Sequence, residues 1–126
     1  MIITPHLLAG AAIGSQTDNY WLAAVLALIS HFILDVIPHA EYDIPALKRK
    51  IKGRRKLFFD LAKIGVDFSL GFLMIIFLTK NYTDVSYILT GMFFGILPDI
   101  FSFLGFVFNS RFLKTLYKYH NALHIF

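Results

Sequence analysis

The chain has 126 residues, of which 57% are hydrophobic and only 16% charged; it carries fourteen phenylalanines, no cysteine and a net charge of +4. A soluble domain of this size needs more polar surface, so the composition argues for a protein embedded in a membrane. Without cysteine, disulfides and thiolate metal sites are excluded, and the five histidines and eight carboxylates are the strong metal ligands left.

Residues 2–14 form an apolar segment in which Thr4 suits a helix N-cap and Pro5 the first helical position. It is short for a bilayer core, so it either crosses with help from its neighbours or lies against them. It has neither a basic n-region nor a small-residue cleavage site, and does not read as a signal peptide. Residues 15–19 are a polar turn. Three longer apolar stretches follow, at 20–38, 61–79 and 85–108, each near the roughly 20 residues that a membrane-crossing helix needs. The one long connection, about 40–60, carries seven of the twelve Lys and Arg in KRKIKGRRK, residues 48–56. The positive-inside rule reads this run as a cytoplasmic loop that meets anionic lipid. No aromatic interleaving accompanies it, so no nucleic acid is expected as a partner. KNYTD, residues 80–84, then turns on the outer side, and Arg111, Lys114 and Lys118 return the chain to the cytoplasm.

The expected architecture is therefore all-α: a single membrane-embedded helical bundle over residues 1–126. It has three long transmembrane helices, a shorter N-terminal helix and a C-terminal amphipathic helix. The expected location is the cell inner (plasma) membrane, multi-pass, with the basic loop and both termini cytoplasmic. Two GxxxG patterns, Gly10 with Gly14 and Gly91 with Gly95, allow close backbone approach and offer faces for a homo-oligomer.

Within SHFILDVIPHAEYD, His31 and Asp35 stand four residues apart on one helix face, and His39 continues that face if the helix survives Pro38. His120 and His124 repeat the spacing. On the topology above, His6, His31, Asp35, His39, Asp67, Asp99, His120 and His124 all fall in the cytoplasmic half of the bundle. Unpaired charges there are costly, and ordinary packing has no use for such a layer. Helix bundles build metal sites in this way, from ligands on facing helices. Imidazole with carboxylate suits zinc, and also manganese or iron. A proton relay is another use for such groups, but the outer halves of the helices are almost wholly apolar, which argues against a transport path.

Four short motifs, TPHLLAG, SHFILDVIPH, GILPDI and the closing HNALH, resemble the small inner-membrane metal-dependent hydrolases, a group related to zinc-dependent phospholipase C and the P1-type nucleases. The resemblance implies a helical protein whose zinc cluster hydrolyses phosphoester bonds. It would make His6 the N-terminal ligand, His31 and Asp35 the HxxxD pair with Asp35 between metals, Asp99 the aspartate of the PD motif, and His120 and His124 the late pair. His39 and Asp67 join the set from depth and spacing alone. The function expected is a membrane-bound metal-dependent hydrolase of phosphoesters, a phospholipid headgroup among the candidates. Asp35 or Asp99 would hold or deprotonate the attacking water. Its partners would be membrane lipid and a small phosphoester substrate. The alternative is a non-catalytic membrane protein in which the His/Asp cluster is a structural metal site or a polar core network.

Overall fold

Apolar runs punctuated by short polar turns fold here into helices. The computed structural model describes residues 2–108 and 110–123, and within them the chain is all helical. The elements are α1 (Ile3–Ser15), α2 (Tyr20–Val36), α3 (Pro45–Lys48), α4 (Arg54–Thr79), α5 (Ser86–Val107) and α6 (Arg111–Leu123). His124 lies outside the described residues.

The start of α1 differs from expectation. Thr4 is already inside the helix, and the N-cap position, Ile2, has no capping side chain. The free amides of a first turn need acceptors, and Asp67 of α4 supplies them across the bundle. Its carboxylate accepts from the amides of Ile3 and Thr4 and, at 2.6 Å, from the Thr4 hydroxyl. Tyr42 donates to the same carboxylate at 3.1 Å.

α2 follows the expected turn and is capped by Asn19, whose Oδ1 accepts from the amides of Trp21 and Leu22. Pro38 disfavours a helical conformation at the residue before it. Ile37 is extended, and α2 stops at Val36 after 17 residues. At about 1.5 Å per residue it spans roughly 26 Å, less than the roughly 30 Å of hydrocarbon. Among the described residues, two helices rather than three are therefore long and apolar enough to cross a membrane, α4 and α5.

α4 starts earlier than its apolar stretch, at Arg54, so the basic run ends inside a helix. The break before it is made by Gly53, whose φ of +146° suits glycine alone. In the short α3, the amide of Leu47 donates to the buried Asp60 carboxylate at 3.1 Å. α5 continues through Pro98.

α1 is the inner helix, packed against α2, α4 and α5, while α5 also meets α2, α3 and α6. Small residues make these contacts. A Cβ on Gly10 would strike the Gly91 carbonyl, one on Gly91 the Gly10 carbonyl, and one on Gly95 would lie 2.7 Å from the His6 carbonyl oxygen. The two GxxxG faces thus pack on each other within one chain, which leaves them covered rather than open to a second copy. Ala23, Ala24 and Ala27 of α2 are buried, whereas Trp21, Phe58, Phe77 and Leu78 face outward. Only 11% of the most apolar window of α4 is buried, against 44% for α5. α4 therefore presents a long exposed apolar face.

Candidate metal centre

Four helices bring buried ionisable groups to one point inside this bundle. The anchored start of α1 places His6 one turn in. The last two turns of α2 carry His31 and Asp35. α5 contributes Asp99, and α6 contributes His120. Their exposures are 4% for His6, 0% for His31, 2% for Asp35, 4% for Asp99 and 8% for His120, so none relies on solvent for its partners.

Asp35 is the centre of the cluster. Its Oδ1 lies 3.3 Å from His6 Nε2, and its Oδ2 lies 3.1 Å from His31 Nε2 and 2.8 Å from His120 Nε2. Asp99 Oδ1 stands 4.0 Å from His120 Nε2. The His6 and His31 rings lie side by side, with centroids 4.2 Å apart.

The surrounding groups assign the protons on two of the rings. His31 Nδ1 lies 2.7 Å from the Gly95 carbonyl oxygen, which only accepts, so Nδ1–H is the donor. Ser102 donates its hydroxyl proton to the Pro98 carbonyl at 3.0 Å and must accept from His120 Nδ1–H at 2.7 Å. Both neutral rings then carry a bare Nε2. Those two nitrogens sit 3.0 Å apart, and both face the Asp35 carboxylate. Lone pairs gathered in this way repel one another unless a proton or a metal ion lies among them.

No protein-family model, no curated protein and no solved structure matches this chain.

The donor set fits a metal ion. Two overlapping groups, His6 with His31 and Asp99, and His31 with Asp35 and His120, each place their ligand atoms within 4.8 Å of one another. Donors about 2.0–2.1 Å from a shared tetrahedral ion sit roughly 3.3 Å apart, close to the separations around Asp35. The bond from a ligating histidine's other nitrogen to a carbonyl or hydroxyl is the usual orienting contact of such rings. Two buried polar atoms, His6 Nδ1 and Asp99 Oδ2, have no hydrogen-bond partner among the described residues. An unsatisfied buried carboxylate oxygen is costly, and a cation removes that cost. The buried His/Asp groups can therefore hold a metal ion.

The other expected ligands sit elsewhere. Because Pro38 ends α2, His39 lies in the following coil, where Nδ1 donates to the Ile37 carbonyl at 2.7 Å and Nε2 faces Glu41 at 3.5 Å. Asp67 is occupied at the start of α1, where burial and its carboxylate hold the Tyr42 phenol above the usual tyrosine range. Neither residue is in the two ligand groups. Ser102 and the Gly95 carbonyl went unremarked in the sequence, although Ser102 stands one turn beyond Asp99 on the same helix face.

Proposed function

We propose that this chain is a membrane-bound metal-dependent hydrolase of phosphoesters. Zinc would be held by His6, His31, Asp35, Asp99 and His120; manganese or iron would suit the same donors. The observation that carries the reading is the convergence of the bare Nε2 atoms of His31 and His120 on the Asp35 carboxylate. Bound zinc supplies Lewis acidity that brings a water molecule within reach of deprotonation near neutral pH. Hydrolysis adds that water across one P–O bond: hydroxide goes to phosphorus and a proton to the leaving oxygen. The Asp35 carboxylate faces the Nε2 atoms of three imidazoles at once. Asp99 would take the proton from water through the carboxylate oxygen that does not hold the ion. The resemblance of the four short motifs to those of inner-membrane hydrolases points to the same reaction, and the positive-inside rule supports a cytoplasmic basic segment in an inner membrane.

The near-complete burial of the cluster favours a second reading, a closed structural metal site. A cavity that reaches His120 favours the enzyme. The test is turnover of a soluble p-nitrophenyl phosphodiester by the full chain in detergent, with and without a chelator. The hydrolase reading expects turnover that the chelator abolishes, zinc restores and Asp99→Asn removes. A zinc-loaded protein without turnover of this ester or of a lipid phosphoester would establish the structural site instead.

A further inference from the structure

The three imidazoles of the cluster are not held alike. His31 Nδ1 donates to the Gly95 carbonyl at 2.7 Å, and His120 Nδ1 donates to Ser102 at 2.7 Å. His6 Nδ1 has no hydrogen-bond partner among the described residues. A ligating histidine is usually oriented through its second nitrogen, so the aim of the His6 ring depends on where α1 carries it. A slip of one residue moves a helix by about 1.5 Å and turns a side chain by about 100°. Such a slip takes His6 Nε2 out of its 3.3 Å contact with Asp35 Oδ1.

α1 has no capping side chain of its own, and its first turn is held from outside by Asp67 of α4. The carboxylate accepts from the amides of Ile3 and Thr4, and the Thr4 hydroxyl lies 2.6 Å from Oδ1 and 2.8 Å from the Asp67 carbonyl oxygen. His6 stands two residues further on. One turn along α4 the two helices are still close, since a Cβ on Gly71 would lie 3.2 Å from Thr4 Cα. The remaining donor reaches Asp67 from the other side of the cluster. Tyr42 donates to Oδ2 at 3.1 Å, and it belongs to the coil that follows α2, the helix of Asp35. One carboxylate thus ties the helix of His6 and the chain that leaves Asp35 to a common frame. Asp67 itself is in neither ligand group.

We propose that Asp67 is a positioning residue of the metal centre: it fixes the first turn of α1 and the coil after α2, and so sets His6 against Asp35. This role rests on the cluster being a metal site and is independent of the reaction that the metal serves. The test loads the full chain in detergent with cobalt(II), whose visible ligand-field bands report its donor set. Asp67→Ala weakens cobalt binding by about 10–100-fold. At saturating cobalt it also changes the bands in the direction set by His6→Ala, a variant that keeps His31, Asp35 and His120 as a ligand group. Asp67→Asn, which keeps a carbonyl acceptor at the same place, retains the wild-type bands. If Asp67→Ala does not fold, Asp67→Glu is judged by the same bands, because it keeps the charge and moves the acceptor by one methylene. Bands identical to wild type in the variant so judged overturn the proposal, even where its melting temperature falls, since Asp67 then only stabilises the fold. Asp67→Asn bands that match those of Asp67→Ala or Asp67→Glu also overturn it, since they trace the effect to something other than the place of the acceptor. In both cases the metal centre stands. Wild-type chain that takes up no cobalt overturns the metal centre itself, and the role of Asp67 with it.

Discussion

At His120 the ring is held by a hydroxyl that is itself committed to the Pro98 carbonyl, so one serine decides which nitrogen faces the cluster. Ser102→Ala removes that anchor and leaves every proposed ligand in place. Loss of an orienting contact of this kind weakens metal binding by about 10–100-fold. Competition with a chelator is expected to show this drop while helix content stays unchanged. Equal affinity would mean that the ring is oriented by packing alone. The candidate ligands His6, His31, Asp35 and Asp99 were readable because each is an ionisable group inside an apolar run, where idle charge is expensive, and His120 because of its spacing to His124. Ser102 was not, since a serine in an apolar helix commonly bonds its own i−4 carbonyl, and that bond says nothing about a histidine on another helix.

At the scale of the helix, glycine decides how near α1 and α5 come. Gly91→Ala pushes a methyl group into the Gly10 carbonyl, an overpacking that costs about 1–3 kcal/mol. At Gly65 of α4 a Cβ meets nothing within 4 Å, and alanine there gains about 0.5–1 kcal/mol from the lost flexibility of glycine. Thermal melts in detergent are expected to move in opposite directions for the two variants. A fall of equal size in both would show that the Gly10–Gly91 contact is not tight. Helix existence was legible from apolar run length, whereas helix ends were not. Pro38 shortened α2, and the segment from Arg54 to Asp60, four of whose seven residues are charged, extended α4, because Arg and Lys have good helix propensity. The cap of α1 by Asp67 is a contact across 64 residues that no local pattern carries.

The molecule as a whole is small, with a core of Ile3, Leu7, Ile75, Ile88, Met92 and Ile96 beside buried Gly, Ala, His and Asp, and with many large hydrophobic residues left on its surface. The absence of cysteine makes its orientation directly measurable through single introduced thiols. On the proposed topology, in which α4 crosses with its basic end inside, Lys52→Cys is expected to react in sealed cells only with a membrane-permeant maleimide and Tyr82→Cys also with an impermeant one. Equal reaction of both with the impermeant reagent would contradict this topology. The central claim is that a cation binds where Asp35 gathers its imidazoles, and elemental analysis of the purified chain tests it most directly. Wild-type protein is expected to retain zinc, or another transition metal, in stoichiometric amount through purification in detergent. The His31→Ala, Asp35→Ala double variant is expected to lose it. Wild-type protein without metal after zinc reloading, or a double variant that holds as much metal as wild type, would contradict the account.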